Sequence, residues 1–206
     1  MNEQLRRRSM GAPAARSVLL TLLGEYVLPA AGHVWQETLI GALETLDHKT
    51  PAARRALARS VAAGWLSTER HGRRSRVHLS PATAGSVADV VSFHAEIGDV
   101  GDPLKVVAEA WDLDRVSEAY RDFIARFGRL RPGSRQAMFR AQTQLVHEWR
   151  RFPFLDPDLP ADMLPARWPR KRAHDLFGER HAQWHHAAQE HFAALEAAGS
   201  AARNVA

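Results

Sequence analysis

Hydrophobic positions recur at three- and four-residue steps along most of this chain, and the points where they stop mark its elements. Val18, Leu19, Leu22, Leu23, Tyr26 and Val27 make such a stripe across residues 16–28, which Pro29 ends. Trp35, Leu39, Ile40, Leu43 and Leu46 repeat the pattern over residues 34–46, with His33 and Val34 placed to add a small strand. A third helix begins at Thr50, a residue type that caps helices, followed by Pro51, which suits a first helical position. Ala53, Leu57 and Val61 form its inward stripe, and Gly64 is placed to end it. The period then changes. Trp65 and Leu66 on one arm, and Val77 and Leu79 on the other, suit a strand pair around Gly72.

Residues 81–91 read as a short helix leaving this hairpin. The stretch 93–103, FHAEIGDVGDP, collects glycines and a proline among acidic residues and is the clearest domain boundary. Beyond it everything is helical. A short helix over 104–110 precedes a strong apolar stripe of Leu113, Val116, Tyr120, Phe123, Ile124 and Phe127, with Asp112 as its cap. Gly128 and Pro132-Gly133 break that helix. The next runs over 134–152, with Met138, Gln142, Leu145, Val146 and Trp149 inward. Five prolines between Pro153 and Pro169 then form a strap, and a last helix covers 171–198.

The predicted fold is mainly α: an N-terminal winged helix-turn-helix over 15–92, a linker over 93–103 and an all-helical C-terminal domain over 104–198. A disordered basic arm (1–14) and a tail (199–206) flank them. No internal repeat is visible. Cysteine is absent, which excludes disulfides, thiol catalysis and Cys-ligated metal sites. Arg6, Arg7 and Arg8 before Val18–Leu23 imitate a signal peptide, but the apolar core is short and Glu25 follows it. No run approaches a membrane span, and a cytoplasmic location is expected.

Charge sharpens the reading. Residues 1–80 hold twelve Lys and Arg against six Asp and Glu, whereas the remainder holds sixteen against seventeen. A polyanion partner is therefore expected for the first part alone. Arg54, Arg55 and Arg59 lie off the apolar stripe of the third helix. Arg73, Arg74, Ser75 and Arg76 form the hairpin tip. A basic helix followed by a basic hairpin is the layout of a winged helix-turn-helix, so Thr50, Arg54, Arg55, Arg59, Arg73, Arg74, Ser75 and Arg76 are the candidate DNA-binding residues. Helix arginines suit guanine edges, and wing arginines suit phosphate or the minor groove.

Other chemistry is weak. His147-Glu148 opens a zinc-protease pattern, but its partner position is Arg151. His181, His185, His186 and Glu190 stand at helical spacings on different faces and read as exposed helix side chains. Asp156, Asp158 and Asp162 stand at prolines and turns, where Asp serves the backbone. Phosphate-loop, dinucleotide and nucleophile-elbow motifs are absent. No catalytic residue, metal site or cofactor is expected.

Leu20–Val27, Gly64-Trp65-Leu66 and Gly72-Arg73-Arg74-Ser75 resemble the start of the PaaX-like transcriptional repressors. The resemblance is closer over Leu145–Phe152 and Phe154–Pro160, and Trp168-Pro169, Trp111-Asp112-Leu113 and Tyr120–Phe123 fit the same C-terminal domain. It implies a homodimeric repressor of an aromatic, phenylacetate-type catabolic operon, bound to palindromic double-stranded DNA and relieved by phenylacetyl-CoA or a related aryl-CoA. On that reading Trp149, Phe152, Phe154 and Trp168 are candidates to receive the aromatic group, with Arg150, Arg151, Lys171 and Arg172 near the CoA phosphates. Two departures stand out. The central ferredoxin-like domain of the family, roughly a hundred residues, is missing, and Arg170 stands where the family often has glycine. The alternatives are a ligand-responsive interaction protein or a family remnant without specific DNA binding, and an enzyme built on the helical half.

Overall fold

A computed structural model of the chain describes residues 13–30, 32–80, 107 and 110–201. The expected helix over 81–91, the linker over 93–103, and almost all of the basic arm and the 104–110 helix lie outside the described residues. The architecture is mainly α with one small sheet. It forms two compact units, residues 1–87 together with 191–206, and residues 88–190.

In the first unit, α1 (Ala15–Leu22) continues into a wider π-helical turn over Leu23–Val27, closed by the Leu28 N–H on the Leu23 carbonyl at 2.8 Å. There follow β1 (His33–Trp35), α2 (Gln36–Thr45), α3 (Thr50–Ala62), β2 (Leu66–His71) and β3 (Arg74–Leu79). The strands make one antiparallel sheet in the order β1-β3-β2, with Val34 opposite Val77 and Leu66 opposite Leu79. Gly64 (φ +73°) and Gly72 (φ +64°) take left-handed backbone where α3 ends and where the hairpin turns, as their places in the sequence suggest.

Two details of α3 differ from expectation. Lys49, not Thr50, takes the cap position, because the Thr50 hydroxyl donates instead to the Glu44 carboxylate. The buried face is Ala53, Ala56, Leu57 and Ser60, while Val61 is half-exposed. A strict four-residue step drifts about 40° per repeat around a 3.6-residue helix, which carries Val61 off the core. Trp65 lies just outside β2, about a third exposed, under the Arg16 guanidinium at 4.4 Å.

The second unit contains α4 (Leu113–Arg129), α5 (Arg135–Trp149), short 3₁₀ turns at Phe152–Phe154 and Ala161–Met163, and most of α6 (Arg170–Ala201). Asp112 caps α4 through the Arg115 N–H at 3.0 Å, and Ser134 caps α5 through the Ala137 N–H at 3.1 Å. The core gathers Val116, Tyr120, Phe123 and Phe127 of α4 with Leu145, Phe152 and Trp184. The inward side of α5 is broader than predicted. Phe139, Thr143 and His147 are buried with Gln142 and Leu145, whereas Met138, Val146 and Trp149 are only partly so.

The end of α6 belongs to the first unit. Phe192 stacks on Tyr26 with centroids 5.0 Å apart, and Leu195 lies over Gly41. Glu196 accepts from the Thr38 hydroxyl at 2.6 Å and from the Trp35 N–H at 3.3 Å, so a carboxylate sits at the positive end of α2. The helix runs past Gly199, where a tail was expected, because a side chain there would meet Thr38 Oγ1 at 2.9 Å and glycine has none. Glu196→Ala should lower the unfolding free energy by about 1–3 kcal/mol, since it strands a buried hydroxyl and a backbone donor. Glu196→Gln, which keeps an acceptor, should cost less. A urea midpoint unchanged in both would show that the contact contributes nothing.

Candidate nucleic-acid interface and ligand cavity

The eight predicted interface residues fall into two groups. Arg54, Arg55 and Arg59 are exposed on α3, and none has an ion pair among the described residues. Their face exists because Ala53, Ala56, Leu57 and Ser60 turn the opposite side inward. Arg55 and Arg59 also line a cavity of about 240 Å³ with Arg16 and the alanines Ala14, Ala15, Ala52 and Ala56. Arg16 was not among the predicted residues. Its place in the first turn of a helix read for its apolar stripe gave no signal of a shared surface.

At the hairpin, Arg73 is exposed beside Gly72. Arg74 is not free. Its guanidinium pairs with Glu37 at 3.1 Å and lies over the Trp35 ring at 4.2 Å, and its side chain is 16% exposed. Arg76 lies over the same ring at 5.0 Å. Strand pairing explains this, because β1 brings Trp35 opposite Arg76 and β2 brings His71 opposite Arg74. Ser75 is half-buried opposite Arg70, whose Nε donates to the Gly72 carbonyl at 3.2 Å. Glu69 takes His71 and His78, each at 3.3 Å. Among the predicted interface residues, the cations open to a partner are thus Arg54, Arg55 and Arg59 on α3, and Arg73 at the turn.

The second unit holds a cavity of about 570 Å³, lined by Tyr120, Trp149, Phe152, Pro153, Asp156, Asp158, Arg170, Lys171 and His174. Tyr120 and Phe152 stack with centroids 4.1 Å apart, and Trp149 stands 5.3 Å from Phe152. The Tyr120 hydroxyl donates to Asp156 Oδ2 at 2.7 Å. Burial, reinforced by that carboxylate, pushes the Tyr120 phenol well above its ordinary range, so it stays protonated and donating. Arg170 pairs with Asp158 and lies 3.7 Å from Asp156. Asp156 also accepts from the Asp158 N–H at 2.9 Å, which is the backbone role expected of it.

Of the eight residues predicted for an aryl-CoA, Trp149, Phe152 and Lys171 line this cavity, and Arg172 does not. Trp168 packs edge-on to Tyr120 at 6.2 Å, Phe154 is 90% exposed, and Arg150 and Arg151 are not in its wall. Burial holds the Arg150 guanidinium below its usual range. Tyr120 and His174 were missed, the first because it reads as core in the apolar stripe of α4. Farther along α6, Glu190 pairs with Arg135 and His186, and His181 stacks on His185.

Known proteins resemble both halves. Residues 14–83 match the PaaX-like protein family, and residues 111–194 match the PaaX-like protein C-terminal domain. The transcriptional repressor PaaX of Escherichia coli (strain K12) is 32% identical over 109 residues, covering 45% of this chain and 33% of that protein. The match thus spans about a third of the relative's length.

Because Arg74 is held and Arg73 is not, their alanine variants should separate in stability. Arg74→Ala should cost about 1–2 kcal/mol through the lost cation–π contact and ion pair. Arg73→Ala should stay within about 0.5 kcal/mol of the parent. Thermal denaturation of both variants measures this, and equal losses would mean that Trp35 does not fix the hairpin.

Proposed function

The chain belongs to the PaaX-like protein family, and from that premise we propose that it is a sequence-specific DNA-binding transcriptional regulator. Its first unit would act as a winged helix-turn-helix, with α3 in the major groove and the β2–β3 turn along the backbone. The observation that carries this reading is the set of three exposed arginines on α3 that have no ion pair among the described residues. An arginine reads a guanine edge through two parallel hydrogen bonds, and one such pair gives about 1–3 kcal/mol of discrimination.

The finer reading is a homodimeric repressor of a phenylacetate-type catabolic operon, bound to a palindromic operator and relieved by phenylacetyl-CoA or a related aryl-CoA. The named relative is a transcriptional repressor, which supports repression as the sense of control. Two-fold symmetry of a dimer would set the half-sites one or more helical turns apart. Among the described residues no helix is long and apolar enough to cross a membrane, in keeping with a protein that works at DNA. The regions that match the family leave only residues 84–110 between them, which favours a shortened family member as the alternative. Such a remnant would keep the fold without specific DNA binding.

A mobility shift on DNA upstream of its own gene and adjoining catabolic genes decides between them. Salt-sensitive binding that prefers one palindrome, and that phenylacetyl-CoA releases, is the expected result. Alanine at Arg54, Arg55 or Arg59 should relax preference at one base pair by about 1–3 kcal/mol in at least one of the three. Arg73→Ala should weaken all sequences alike and flatten the salt slope by about one unit. Binding indifferent to sequence would leave the remnant.

A further inference from the structure

The cavity between the start of α1 and the side of α3 is small and almost purely cationic. Its volume of about 240 Å³ lies below the roughly 300–1,000 Å³ usual for small-molecule sites. Four alanines and the guanidinium-bearing Arg16, Arg55 and Arg59 make its wall, so no ring or long aliphatic side chain is there to receive an apolar ligand. Three guanidiniums around a small space suit a compact oxyanion, whose oxygens take their paired N–H groups.

The charge in this cavity is unanswered. Arg16, Arg55 and Arg59 have no ion pair among the described residues. The Arg16 Nε–H is buried without a hydrogen-bond partner, an arrangement that costs free energy until an acceptor arrives. Trp65 lies under the same guanidinium at 4.4 Å and holds it in place beforehand, so little side-chain freedom is lost on binding. No side chain caps α1 at Ala14, and its first turn has no acidic residue, so the helix dipole adds to the positive field.

The position of each arginine around α3 separates their tasks. At about 100° per residue, Arg55 and Arg59 stand about 40° apart, on the side of Ala52 and Ala56, whereas Arg54 lies about 100° or more from both. Arg55 and Arg59 therefore share the cavity with Arg16, and Arg54 is not in its wall. A helix in a groove has bases beneath it and phosphates along its flanks, and phosphate contacts fix its register.

We propose that this cavity receives a phosphate of the DNA backbone, held by Arg16, Arg55 and Arg59, and that Arg54 is the α3 arginine left to read a base edge. The assignment rests on the DNA-binding reading. It adds a residue outside α3 and divides the work among the α3 arginines.

Affinity of the full chain, measured against salt on its operator fragment and on a random-sequence duplex, tests this. Arg16→Ala should weaken both DNAs alike, by about tenfold, and flatten the salt slope by about one unit. Arg54→Ala should instead lower the ratio of operator to random affinity by about tenfold. Should Arg16→Ala fold poorly, Arg59→Ala, exposed on α3, carries the same expectation. A second arm uses no DNA: dimethyl phosphate, the diester group alone, is titrated while the Arg16 Nε–H resonance is followed by NMR. The signal should move saturably in the parent and stay still when Arg55 and Arg59 are both alanine. Specific operator binding that Arg16→Ala and Arg59→Ala leave unchanged at every salt concentration overturns this assignment and spares the DNA reading. A resonance that responds to dimethyl phosphate in a chain that binds neither DNA overturns both, and gives the cavity to a small phosphorylated ligand.

Discussion

Glu196 carries a carboxylate from the end of the chain to the start of α2, and the order of the first unit depends on that contact. The Thr38 hydroxyl and the Trp35 N–H both donate to it. Trp35 is the residue under Arg74 and Arg76, so the residue that Glu196 holds by its backbone N–H also seats the hairpin by its ring. Three short helices and a three-stranded ribbon offer little area for a core of their own. Phe192 on Tyr26 and Leu195 over Gly41 add apolar surface to the core of the first unit.

This makes α6 an element of two units. Helical structure runs unbroken from Arg170 to Ala201. Its first turns supply Arg170, Lys171 and His174 to the cavity, and its last turns supply Phe192 and Glu196 to the core of the first unit. Its buried residues agree with a helix that changes partners along its length: Ala173 and Trp184 lie in the core of the second unit, and Phe192 lies against Tyr26 of the first.

The sequence was legible where the information is local. Period alone placed α1 to α5 and the hairpin, and residue type placed the cap Asp112 and the turns at Gly64 and Gly72. It failed where a distant partner decides. Thr50 lost its capping role to Glu44, and Gly199 was taken for a tail because its contact, Thr38, is far off in sequence. Tyr120 looked like one more core aromatic until Asp156 and Phe152 were seen against it. The aromatic candidates divided for the same reason: Trp149 and Phe152 line the cavity, whereas Phe154, two residues on, points to solvent.

The arginines show why net charge alone is a poor guide to an interface. Arg74 and Arg76 count toward the basic balance of the first unit as fully as Arg54 or Arg59, yet Trp35 and Glu37 occupy them. What marks the α3 face is the absence of such partners among the described residues, together with the size of its neighbours. Ala52 and Ala58 alternate with the arginines, and Ala62 follows one turn on. A helix entering a groove about 12 Å wide must bring its backbone close to the base edges. Small residues between long ones permit that approach while the guanidiniums reach sideways and down. On the hairpin, by contrast, Arg74 and Arg76 are held against Trp35, and Arg73 stands exposed at the turn. On the proposed DNA reading, helix and turn would serve different tasks, close reading for the one and an electrostatic contact for the other.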